Sequence, residues 1–138
     1  MANGYGGLID IQLYEKTYTM KVDMGVIAEF QSETGKDFLQ VAVSAMNAYS
    51  ESAAMDPFAR AVELTKAVSM EDAAWLFYLA AHNVDKLVTF EETQENILNE
   101  GPIMIIETGN KIRQSYPLLF VNLCMFCVMG VTDTAKKH

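Results

Sequence analysis

The hydrophobic pattern changes period at Asp23, and that change constrains the fold more than any other feature of the chain. Before it, Ile9, Ile11 and Leu13 alternate with Asp10 and Gln12, and Tyr18, Met20 and Val22 alternate with Thr17, Thr19 and Lys21. This is the period of strands with one buried face. The two runs read as a β-hairpin over residues 8–22 that turns between Tyr14 and Thr17. Neither Asn-Gly nor Asp-Gly marks the turn, so its type stays open. Two strands are marginal alone, and the hairpin must therefore lie on the rest of the chain or pair with another one.

After Asp23 every element reads as a helix. Asp23 is placed to cap a helix that begins at Met24, carries Ile27 and Phe30, and stops at Gly35, the residue best suited to a left-handed C-terminal cap. Asp37 opens a second helix with Phe38, Ala42, Ala45 and Tyr49 on one stripe, widened by Leu39 and Met46. Asp56-Pro57 opens a third bearing Phe58, Ala61, Val62 and Thr65. Ser69 opens Met70 to His82, where Trp75 to Leu79 surround the helix with large apolar groups and predict the most central position. Thr89-Phe90-Glu91-Glu92 is a capping box, and that helix ends at Asn99-Glu100-Gly101. Pro102 is read as the start of another helix with Glu107 and Lys111 as an i,i+4 pair, kinked or broken at Pro117. Leu118 to Met129 is apolar except for Asn122, Gly130 caps it, and residues 130–138 form a solvated tail. The predicted fold class is mainly α (α+β): one domain over 1–138, with the hairpin followed by a bundle of about five to six helices over 24–129.

The chemistry available is sparse. A chain of 138 residues needs neither disulfides nor a metal to hold a core. A formal net charge of -8 argues against nucleic acid. The first residues show no basic region leading into an apolar run, which predicts a cytoplasmic protein. The apolar stretch Leu118 to Met129 extends only about 18 Å as a helix, short of the roughly 30 Å of a bilayer core, so no membrane span is predicted. His82 reads as a C-terminal helix residue, His138 is the last residue, and the early glycines precede a strand instead of following one into a helix. Neither a nucleophile constellation nor a phosphate loop is predicted. Cys124 and Cys127 match C-x-x-C, yet a redox pair wants a lowered pKa at a helix N-terminus and zinc wants further ligands. They read as buried thiols. The expectation is a non-enzyme with no catalytic, metal-binding or cofactor-binding residues. The 9 methionines in the chain read mainly as filler of an irregular core, while the flexible thioethers of Met104, Met125 and Met129 near the apolar end point to a surface that repacks around a partner. The residues assigned to it are Met104, Ile105, Leu119, Phe120, Met125, Phe126 and Met129.

The run from Tyr18-Thr19-Met20-Lys21-Val22-Asp23 through Val26-Ile27-Ala28-Glu29-Phe30 to Glu33-Thr34-Gly35-Lys36-Asp37-Phe38 resembles the tail assembly chaperones of long-tailed phages and the related small tail proteins of gene transfer agents. The stretches Met70 to His82 and Leu87 to Leu98 are similar to that family too, in the same order. The resemblance implies a small, mostly helical protein of the host cytoplasm, absent from the mature virion. Such a protein binds the aggregation-prone tape measure protein while tube subunits assemble around it. The family offers no catalytic residues to carry over. It also implies a longer companion made by ribosomal frameshifting, here at the codons of Lys136 and Lys137, whose extra domain would recruit the tail tube protein. A further expectation is that the protein self-associates or binds its client through the hairpin edge and the segment from Met104 to Met129. Two other readings stay open: a thiol redox protein using Cys124 and Cys127, and a peripheral membrane-associated helical protein using Leu118 to Met129. For the second, only Lys136 and Lys137 stand nearby to hold anionic lipid.

Overall fold

The computed structural model describes residues 7–101, 105–107, 111–113 and 115–129. The chain begins with β1 (Leu8–Leu13) and β2 (Lys16–Lys21), an antiparallel hairpin with Leu13 opposite Lys16 and Leu8 opposite Lys21. Tyr14, in the two-residue turn, takes a left-handed φ of 57°. The alternation is realised as read: Ile11, Leu13, Tyr18 and Met20 are buried while Asp10, Gln12 and Thr17 face water. Helices α1 (Met24–Thr34), α2 (Phe38–Glu51), α3 (Pro57–Ala67), α4 (Met70–Val84) and α5 (Phe90–Glu100) follow, and α6 (Tyr116–Met129) ends the described chain. The fold is mainly helical with an N-terminal β-hairpin, as the pattern predicts.

Local chemistry sets most boundaries. The side chains of Asp23, Asp56, Ser69 and Thr89 accept the N–H groups of Val26, Ala59, Asp72 and Glu92 at 3.0 to 3.1 Å. Each thereby satisfies one of the orphan donors at a helix start. Gly35 ends α1 at φ 73°, in the left-handed region where a side chain would be strained. Asp37 stands at the start of α2, but its side chain makes no capping hydrogen bond.

The central helix is α4, which packs against β2, α1, α5 and α6. Helix α6 lies against α2, α3, α4 and β1. Phe30, Phe38, Phe77 and Phe120 are fully buried. They meet edge to face, Phe30 with Phe38 at 6.2 Å and Phe77 with Phe120 at 6.1 Å between centroids, a geometry that adds to area burial.

Three expectations are corrected. The stretch from Pro102 is no helix where it is described: Ile105–Glu107 and Lys111–Arg113 form β3 and β4, an antiparallel pair with Glu107 directly opposite Lys111. The two residues read as an i,i+4 helical pair stand opposite each other in the strand register instead. Pro117 does not kink a helix, because it occupies the first turn of α6, where its missing N–H would have had no intrahelical acceptor. The inward face of α3 is Ala61 and Leu64, leaving Phe58 and Val62 exposed, and Leu39 of α2 is exposed as well. The expected Gly130 cap and the tail over 130–138, including Lys136 and Lys137, lie outside the described residues.

Candidate docking surface

Of the residues assigned to a partner surface, Leu119 and Phe120 belong to the core, with Phe120 at 0% exposure. They cannot touch a partner without opening the fold, and that assignment is withdrawn. Met125 and Phe126 are partly buried against the core, Met129 is exposed, Ile105 stands in β3 opposite Arg113, and Met104 lies outside the described residues. Among the described side chains of this set, only Met129 is exposed.

A different apolar surface lies on α2. Leu39 and Val43, one turn apart on the flank away from the buried Phe38, Ala42 and Ala45, are 48% and 47% exposed. They line a shallow open groove of 710 Å³ between α2 and α3, continued by Asn47 and Glu51 along α2 and walled by Glu63 and Lys66 of α3. The volume lies within the range of ordinary binding clefts.

The groove exists because α3 is pinned to the end of α2. The Arg60 guanidinium donates through Nη2 to the Tyr49 carbonyl at 2.8 Å and through Nε to Ser52 Oγ at 3.3 Å, and it lies 4.2 Å from the Tyr49 ring centroid. One planar cation thereby makes two hydrogen bonds and a cation–π contact, a combination lysine cannot offer. On the groove wall Lys66 donates to Glu63 at 3.0 Å. Glu51 and Glu63 together outnumber that single cation, so the groove presents apolar ground with an acidic border. The signal for this surface was present in the sequence, since Leu39 and Val43 form an apolar pair i,i+4 outside the main stripe. An apolar pair at that spacing reads equally well as a widened core face.

A polar clasp joins the hairpin to α5. Glu92 Oε2 accepts from the Tyr18 hydroxyl at 2.6 Å and from Lys16 Nζ, while Asn96 Nδ2 donates to the same hydroxyl at 2.7 Å. Lys16 and Tyr18 hold the Glu92 carboxyl below its usual pKa, and burial raises that of the Tyr18 phenol. At the turn, Glu100 accepts the Tyr14 backbone N–H. Glu92, which the sequence places in a capping box, thus also accepts hydrogen bonds from two side chains of the hairpin.

Cys124 and Cys127 are both buried within α6. Burial, and secondarily the neighbouring Cys127, pushes the Cys124 thiol well above its usual pKa, and burial lifts Cys127 to about 12. This is the opposite of a redox cysteine's environment. Both thiols are expected to resist a thiol-titrating disulfide reagent at neutral pH in the folded protein and to react fully once it is denatured; prompt reaction of either in the native state would revive the redox reading. Among the described residues no helix is long and apolar enough to cross a membrane, and no cluster of three His, Cys, Asp or Glu could hold a metal ion. No family model, curated protein or solved structure matches the chain.

Proposed function

We infer that the protein is a phage tail assembly chaperone that holds the tape measure protein during tail assembly and acts without catalysis. The observation that carries this reading is the apolar, acid-bordered groove between α2 and α3. It is an accessible apolar surface on a chain whose net charge of -8 keeps such a surface in solution. The family-like run Tyr18 to Phe38 spans β2, α1 and the start of α2, and so leads directly into the helix that bears Leu39 and Val43. In this reading the client lays an apolar stripe on Leu39 and Val43 and directs its cations to Glu51 and Glu63. The tail tube protein joins through a frameshifted longer form. The site of action is the host cytoplasm, and the chaperone leaves before the virion is complete.

Co-expression with the tape measure protein of the same tail gene cluster tests the reading. Wild type should keep that client soluble and co-elute with it. Leu39→Asp combined with Val43→Asp should reduce co-elution by about tenfold while leaving the unfolding midpoint close to wild type, as exposed substitutions do. A client that is insoluble with wild type, or equally soluble without it, would remove the chaperone assignment.

A further inference from the structure

We propose that the free edge of β2 is a strand-acceptor site, taking one extended segment of a client polypeptide as a third strand of the hairpin sheet. The register sets which backbone groups are available. Because Leu13 faces Lys16 across a two-residue turn, Lys16, Tyr18 and Met20 exchange hydrogen bonds with β1, while the N–H and C=O groups of Thr17, Thr19 and Lys21 point away from it. The outward carbonyl of Lys21 is already occupied, accepting from Asn83 Nδ2 at 3.1 Å. Those of Thr17 and Thr19 have no partner among the described residues. Main-chain donors and acceptors repeating every second residue are matched by another extended backbone and by little else.

The space beside this edge fits such an occupant. A cleft of 280 Å³ runs along Lys16 to Thr19, with Ala81, Val84 and Val88 forming an apolar opposite wall and Asp85 at its rim. A strand laid on Thr17 and Thr19 would direct alternate side chains at that wall, where small or β-branched apolar groups fit. The exposed Asp85 and the net charge of -8 favour a segment whose other residues are Lys or Arg. The same charge on every copy opposes the alternative occupant, a second copy of this chain. Recognition through main-chain groups tolerates many sequences, which suits a client held before it folds. The identity of that client rests on the chaperone reading above, whereas the acceptor chemistry of the edge does not.

Short overlapping peptides of the tape measure protein, fluorescently labelled, are titrated against the full chain by anisotropy, in parallel with capture of the intact client. Peptides alternating apolar and basic residues should bind wild type. Thr19→Pro removes one outward N–H without touching the ladder to β1, the one setting in which a strand tolerates proline, and Val84→Lys obstructs the apolar wall. Each should weaken binding by about tenfold or more, while Thr19→Val, which keeps the N–H, should bind like wild type. If Thr19→Pro fails to fold, Val84→Lys and Thr19→Val decide. Capture of the intact client without binding of any peptide, or binding indifferent to Val84→Lys and Thr19→Pro, overturns the acceptor edge and leaves the chaperone reading standing. Capture of neither removes both. A wild-type dimer by sedimentation that Thr19→Pro converts to monomer would mean that a second copy fills the edge, and would equally overturn the proposal.

Discussion

Phe120→Asp should abolish the cooperative unfolding transition at neutral pH, leaving a chain without fixed tertiary structure. The Phe120 ring is fully buried in α6 and meets Phe77 of α4 edge to face, at the junction of two helices that share the core. Truncating such a ring costs about 3–5 kcal/mol through lost burial and the cavity left behind. A carboxylate in its place adds several kcal/mol of uncompensated charge burial, against a total stability of roughly 5–15 kcal/mol for an ordinary domain. The same substitution at Phe126, which only borders the core, should leave a folded protein destabilised by about 1–3 kcal/mol. Circular dichroism with urea titration distinguishes the two. A Phe120→Asp protein that unfolds like wild type but no longer holds its client would return Phe120 to a partner surface and contradict its burial.

Why Phe120 could be taken for a partner contact is evident from α6 itself. An amphipathic helix announces its inward face through its periodicity, but Tyr116–Met129 is apolar around nearly its whole circumference, so no sequence reading can orient it. Helix α3 poses a milder form of the problem. Phe58 and Val62 form one apolar pair and Ala61 and Leu64 another, and the smaller pair is the buried one, a choice that periodicity alone does not make. The hairpin and the caps were legible because they rest on local rules: side-chain alternation, an oxygen at the helix start, a glycine at its end. The pairing of β3 with β4 has a signal in the sequence, since Gly109-Asn110 stands between β-branched Ile105-Ile106 and Ile112 and such a dipeptide between apolar runs favours strands over a helix. The groove and the clasp were illegible for a different reason. Arg60 with Tyr49, and Lys16 and Tyr18 with Glu92, meet only after distant segments pack.

Glu92→Ala should cost about 1 kcal/mol at neutral pH, because the pair with Lys16 is partly exposed and screened by water while the Tyr18 hydrogen bond adds a modest net amount, and the part that depends on the charged carboxylate should disappear in acid. The carboxylate receives Lys16 and the Tyr18 hydroxyl, with the Thr89 backbone N–H as a smaller support. All three favour the charged form, so its pKa is lower in the folded chain than in the unfolded one, where it stands near the ordinary value of about 4.3. Above that value both states are ionised and the full stabilisation is present; as pH falls through the folded value the folded carboxylate must also take a proton, and the advantage is lost. The difference in unfolding free energy between wild type and Glu92→Ala should thus stay constant from neutral pH to about pH 5 and close below it. Asp23, whose carboxyl is likewise held low by the Val26 N–H and Asn83, is common to both proteins and cancels in the difference. At the alkaline end the sign reverses: the raised Tyr18 phenol stabilises fully below the ordinary tyrosine value of about 10, and its contribution is lost as pH climbs through the higher folded value. Because Lys16 and Tyr18 border the β2 cleft, acid that releases Glu92 should also loosen the edge proposed to accept a client strand, and peptide affinity should fall over the same pH interval. A wild-type-minus-variant difference that stays flat through that interval would show that Glu92 supports the hairpin by packing alone.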